Sequence, residues 1–131
     1  MSKARFTDVL NYPMLPRGHT KKVLHDGDNF HVWIHGDEPT TKGPMHKHTA
    51  DQTFYCLQGE CTFHFTDGPD QKLTPGCVVV VPKGQYYQLD NTGKDYMILL
   101  GSRAEKARNP RFGAKNEVVT EGGKLMPDDV H

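Results

Sequence analysis

The 131-residue sequence has few cysteines, no surplus of either charge and no long apolar run, and each shortage removes a class of protein. The three cysteines, Cys56, Cys61 and Cys77, are odd in number and show neither CxxC nor CxxH spacing. That excludes a disulfide framework and a structural zinc ribbon, and points to a reducing compartment. Lys+Arg and Asp+Glu both number 16, so the net charge is zero with neutral histidine. No general electrostatic attraction for nucleic acid or anionic membranes follows from such a balance. There is no run of about 18 apolar residues, and MSKARFTDVLNYPMLPRG at the N-terminus lacks the apolar centre of a signal peptide. A soluble cytoplasmic protein is expected, with neither nucleic acid nor membrane as partner. Nucleophile elbows of the GxSxG type, GxxxxGKS/T loops and GxGxxG turns are missing as well, which sets aside the chemistries built on them.

Turn formers and short strand-like runs are present instead. The 13 glycines and 9 prolines are spread along the chain, so they read as turns rather than as one linker. Between them lie FHVWIH (30–35), TFYCL (53–57), TFHFT (62–66), VVVVP (78–82) and YMILL (96–100), all β-branched, aromatic or aliphatic. Five short strands without a convincing amphipathic helix between them predict an antiparallel sandwich or small barrel. Residues 1–29, with Pro13 and Pro16, read as a polar arm carrying at most one short strand. Residues 30–100 read as the barrel. Residues 101–131 read as a charged extension that wraps the barrel or packs on a partner subunit, all within a single domain.

Eight histidines are the other excess, and most of them are expected on the solvated surface. His31 and His35 share a face with Trp33, opposite the apolar stripe of Phe30, Val32 and Ile34, which predicts surface or subunit contact. His19, His25 and His131 fall in irregular or terminal stretches. MHKHTADQTFYCLQG (45–59) is different. On an extended strand, residues of equal parity share a face, so His46, His48, Gln52, Phe54 and Cys56 line up as two imidazoles, an amide, a ring and a thiol. Asp51 points away from them. Two imidazoles two residues apart on a strand can converge on one ion.

PMHKHTADQTFYCLQG resembles the first motif of the cupin superfamily, in which HxH and a following Glu supply three of four metal ligands. GCVVVVPKGQYYQLDN (76–91) is similar to the second motif, with Gly76, Pro82, Gly84 and Asn91 in place. Together the motifs cover about a quarter of the chain. The resemblance implies an all-β, antiparallel double-stranded β-helix (a jelly-roll barrel), a homodimer, and small organic molecules entering the barrel mouth. Three positions depart from the pattern. Gln52 stands where the Glu is usual, Tyr87 falls on the second motif's histidine, and Gly43 lies only three residues before His46.

The candidate metal set is therefore His46, His48, Gln52 and Tyr87, with Phe54, Cys56 and His64 as candidate pocket residues. A wholly neutral set weakens affinity for hard ions such as Mn²⁺ while still suiting Fe, Zn, Ni or Cu. Tyr87 could bind iron as tyrosinate, serve as a general acid, or only line the pocket. Gln52 could be a ligand or a hydrogen-bonding neighbour. The expected function is a metal-dependent enzyme on a small oxygen-bearing or aromatic substrate: an oxidoreductase of the dioxygenase kind with iron, or a lyase or isomerase with a redox-silent ion. The alternative is a cupin that binds a small molecule without turnover.

Overall fold

The computed structural model describes residues 3–11, 18 and 20–107, together with the backbone of 111–113, 120–121 and 124–125. A 3-10 turn at Val9–Asn11 precedes twelve strands in chain order. They are β1 (Thr20–Asp26), β2 (His31–Asp37), β3 (His46–His48), β4 (Gln52–Gln58), β5 (Cys61–Phe65), β6 (Gln71–Leu73), β7 (Val78–Val81), β8 (Tyr87–Asp90), β9 (Met97–Arg103), β10 (Arg111–Gly113), β11 (Thr120–Glu121) and β12 (Lys124–Leu125). All five runs read from the sequence are strands. β1 goes further than the single short strand expected of the arm, because it pairs along the whole length of β2. His19, His131 and most of the extension that was expected to wrap the barrel or meet a partner lie outside the described residues.

The strands form two antiparallel five-stranded sheets, ordered β1-β2-β9-β4-β7 and β10-β3-β8-β5-β6, with β11 and β12 as a separate hairpin. The sheets face each other as a barrel, within the sandwich-or-barrel class that the strand pattern predicts and with the jelly-roll form that the resemblance implies. Their inner faces meet in one core that contains Trp33, Phe54, Phe63, Leu73, Val81, Tyr87, Leu89, Met97 and Leu99. Phe54 sits at its centre, edge-on to Trp33 at 5.7 Å and 5.0 Å from Phe63 across the gap between sheets. Burying each such ring removes enough apolar area from water to stabilise the fold by about 1.5–3 kcal/mol.

Cross-strand register divides the inner face of the first sheet into rungs. Trp33 pairs with Gly101 and Gly101 with Phe54. One step toward the end of the barrel, His31 pairs with Arg103 and Arg103 with Gln52. Gly101 is required by its neighbour, because a Cβ there would penetrate the Trp33 ring. Gly59 turns β4 into β5 at a φ of +74°, a conformation that only glycine adopts without strain.

β7 is the outermost strand of its sheet among the described residues, with Val81 inside and Val78 and Val80 outward, more than half exposed. Tyr55, paired with Val78, extends that apolar outer surface.

Candidate functional site

The short strand β3 alternates buried, half-buried, buried, so His46 and His48 point inward while Lys47 lies over the Tyr86 ring outside. The carbonyl of Pro44 accepts from His46 Nδ1 at 2.9 Å. That bond fixes the tautomer and leaves the lone pair of Nε2 facing the barrel interior. His48 Nε2 stands 3.0 Å from His46 Nε2, and the Tyr87 hydroxyl stands 3.1 Å from it. β8 supplies Tyr87 because its first residue pairs directly with His46. The Tyr87 hydroxyl also donates toward Gln52 Oε1 at 3.4 Å. His46, His48, Gln52 and Tyr87 are therefore brought together at one end of the barrel, each almost wholly buried. Asp51 faces outward as parity predicts, its carboxylate accepting from Lys83 N at 2.8 Å.

Of the candidate pocket residues, Phe54 backs this cluster, with its ring 5.8 Å from that of Tyr87. Cys56 shares the inward face but lies two rungs farther in, where its thiol donates to the carbonyls of Gln58 and Gly59. Burial pushes the Cys56 thiol up to about 11, so it stays protonated near pH 7, as a small buried hydrophobe does. His64 stands apart from the cluster. Phe63 takes the inward position on β5, and His64 turns outward between Asp70 and Asp90, 3.0 Å from each. Hydrogen bonds to those two carboxylates, Asp90 first, raise its pKa.

Arg103 and the residues around it were not identified from the sequence as belonging to a site. Arg103 is 4 % exposed and donates from Nε to Gln52 Oε1 at 2.9 Å. Its Nη1 donates to His31 Nε2 at 3.4 Å, and His31 Nδ1 donates to the Glu105 carbonyl at 2.6 Å. The guanidinium stacks on Trp33 with 4.7 Å to the ring centroid. Burial holds the Arg103 pKa below its usual value, opposed by nearby Tyr87 and Glu105. Burial likewise drives His31 down to about 4, so it is neutral near pH 7. His31 and His35 are thus interior residues and not surface ones. The parity was right and the face was reversed, since His31, Trp33 and His35 are all fully buried while Phe30 is about half exposed. Trp33 Nε1 donates to His35 Nδ1 at 3.0 Å.

The donor set can be tested against a metal ion. Two nitrogens held at about 2.1 Å from one ion would stand about 3.0 Å apart at a right angle and about 3.4 Å apart at a tetrahedral one, and the imidazole pair stands at the shorter of these separations. Gln52 fits less well, because its oxygen already accepts from a cationic guanidinium. A second cation bound to the same oxygen would be repelled by roughly 3 kcal/mol per unit charge at ~5 Å and an effective dielectric constant near 20. Among the described residues no three His, Cys, Asp or Glu side chains are grouped to hold an ion. The arrangement suits an imidazole-preferring ion on His46 and His48 and disfavours a hard ion that needs carboxylates. An open groove of about 860 Å³ lies elsewhere, between the arm at Lys3–Val9 and the outer face at Leu24, Phe30, Val32 and Leu100, with none of the cluster in its walls.

Comparison with known proteins agrees with this architecture. The family model described as Cupin domain matches residues 33–101. A tobacco (Nicotiana tabacum) auxin-binding protein, T92, is 26% identical over 96 residues, which are 64% of this chain and 51% of that protein. The chain spans about half the length of the curated relatives it matches. Among solved structures, an uncharacterized conserved protein with a double-stranded β-helix domain from Klebsiella pneumoniae superposes with a TM-score of 0.67 at 20% identity, covering 79% of this chain and 92% of that one. The DMSP lyase DddQ from Ruegeria pomeroyi gives 0.66 at 19% identity, covering 86% of this chain and 61% of that one.

Proposed function

The chain belongs to the cupin domain family, and from that premise we propose that it is a metal-supported cupin enzyme acting on a small oxygen-bearing organic molecule at the His46–His48–Tyr87 cluster. The observation that supports this reading is that the His48 Nε2 and the Tyr87 hydroxyl both lie within 3.1 Å of His46 Nε2, inside the barrel. His46 and His48 would hold the ion, of which Fe, Zn, Ni and Cu suit imidazole better than Mn does. When bound, such an ion supplies Lewis-acid polarisation of a substrate oxygen, with oxidative chemistry open to iron and lyase or isomerase chemistry to a redox-silent ion. Tyr87 carries a hydroxyl proton that hydrogen-bonds toward Gln52 and stands beside His46, and that can be turned to a substrate oxygen in their place, which makes it the candidate general acid. Gln52 is assigned to positioning: its oxygen, fixed by Arg103, holds the Tyr87 hydroxyl in the cluster. Phe54 and the rings around it supply the dry floor on which such a polar group acts.

Elemental analysis of protein purified without added metal should find about one equivalent of a transition metal. The His46→Ala/His48→Ala double variant should find none. Persistent absence from the wild-type chain, even after reconstitution, would replace this reading with the second one, binding without turnover. The lack of any carboxylate among His46, His48, Gln52 and Tyr87 favours that alternative, and the tobacco relatives are named for binding auxin. The homodimer that the family implies is proposed to form on the outer surface of Tyr55, Val78 and Val80. Sedimentation should give a two-chain mass, reduced to one by Val78→Lys/Val80→Lys.

A further inference from the structure

The buried guanidinium of Arg103 is only partly answered by the protein around it. Its Nε donates to Gln52 Oε1 and its Nη1 to His31 Nε2, but Nη2 is buried without a hydrogen-bond partner. None of the ion pairs among the described residues involves Arg103. Glu105 is close enough to favour its charge, yet the Glu105 carboxylate accepts from Thr49 Oγ1 at 2.8 Å. A buried arginine left this way is costly, because charge and N–H groups both lose water without full replacement.

The direction of the unanswered group follows from guanidinium chemistry. The Nε–H and one Nη2–H of an arginine lie parallel and on the same side, forming the fork that grips a carboxylate with two bonds. Here Nε is occupied by one amide oxygen, so Nη2 opens beside Gln52 and toward Tyr87. The Tyr87 hydroxyl favours the guanidinium's charge by its field and by a weak hydrogen-bonding contribution, but does not stand in bonding geometry to Nη2. A Glu at position 52 would fill both prongs from within the protein. Gln52 fills one.

We infer that Arg103 is an anchor for a ligand carboxylate, and that the molecules taken by the His46–His48–Tyr87 cluster are small organic acids whose anionic oxygen completes the half-filled fork. This rests on the reading of that cluster as a small-molecule site and not on a metal ion. The same placement sets the ligand's remaining atoms against Tyr87 and the ring of Phe54, so a flat, partly apolar acid fits better than a highly hydrated one.

Trp33 is the only tryptophan and lies under the guanidinium at 4.7 Å, so its emission reports on what Arg103 binds. The test uses the full chain stripped of metal by a chelator and titrated with benzoate, with the neutral isostere benzamide in parallel. Benzoate should change Trp33 emission saturably, and benzamide should bind roughly 10- to 100-fold more weakly, the range of a lost charge-assisted bond. Arg103→Met should remove the preference for benzoate, and Gln52→Glu should remove it too by filling the fork, with near-UV circular dichroism showing that each variant is folded. Should Arg103→Met not fold, Gln52→Glu alone decides. Equal binding of benzoate and benzamide by the wild type, or benzoate binding unchanged in Arg103→Met or in Gln52→Glu, overturns the inference. Metal content is measured on the same samples before stripping. Loss of the metal reading with benzoate preference intact leaves this inference standing, and the converse leaves the metal reading standing alone.

Discussion

Two neighbouring rungs of the same sheet, His31–Arg103–Gln52 and Trp33–Gly101–Phe54, are equally buried and built on the same strands, yet they spend their burial differently. The inner rung is rings packed on rings with a glycine between them, and all of it serves the core. The outer rung encloses a cation, a neutral imidazole and an amide, groups that a stability-driven core would replace with apolar side chains. Placing a polar rung directly on an aromatic one gives a charged anchor a rigid, dry floor. The barrel thus keeps its stability and its chemistry one residue pair apart.

The contrast can be broken most forcefully at Phe54. Phe54→Ala should cost about 3–5 kcal/mol in urea unfolding, because the side chain touches both sheets. A loss below 1 kcal/mol would mean that the inner rung is not the structural one.

Acid should expose the outer rung next. The His31 value in the folded chain is about 4, below the ordinary 6.5, with burial the main cause. The unfolded chain therefore takes up a proton between those pH values and the folded chain does not. The stability contributed by neutral His31 is complete above pH 6.5 and is lost as the pH falls toward 4, by roughly 3 kcal/mol. Urea midpoints at pH 7, 5.5 and 4 should show that slope, and His31→Gln should flatten it. A His31→Gln curve parallel to the wild type would assign the slope to other groups.

Gly101→Ala should follow at about 1–3 kcal/mol of overpacking against Trp33, seen as a lowered thermal midpoint with a perturbed tryptophan spectrum. The smallest effect is at His64, the half-buried, outward-facing counterpart of His31. Its raised pKa reflects Asp90 and Asp70, so the interaction is present below the ordinary value near 6.5 and is lost as the pH rises through the raised one. Asp90→Asn should bring the His64 titration followed by NMR back toward the ordinary value, with little change in unfolding.

Much of this was legible before any coordinates. The β-branched and aromatic runs between turn formers mark β2, β4, β5, β7 and β9. Period-two parity holds within β3 for His46 and His48 and within β4 for Gln52, Phe54 and Cys56. The two groups lie on the inner faces of opposite sheets, and not on the one continuous strand face expected, because the chain crosses between sheets at residues 49–51. The rest was hidden for physical reasons. Arg103 escaped because β9 is apolar on both faces from Met97 to Leu100, so alternation gives no sign that the strand continues through Gly101 to a fourth inward position. His31 and His35 were misplaced because both faces of β2 are covered, with Ile34 as fully buried as Trp33, so the apolar stripe no longer marks the core side. His64 lay beyond the Gly59 turn, which resets parity between β4 and β5.

The four valines of β7 have a consequence for the life of the chain before it is folded. A short, uncharged, β-branched run at a sheet margin is the kind of segment that recruits copies of itself from other unfolded chains. Its flanks, Pro75-Gly76 on one side and Pro82-Lys83 on the other, cannot continue such a strand and add a charge, so they confine the hazard to four residues. Replacing Pro82 and Lys83 with valine should leave the purified native protein little altered. Its yield from synthesis should fall as insoluble material accumulates, so those two residues act on how many molecules arrive and not on what each one does.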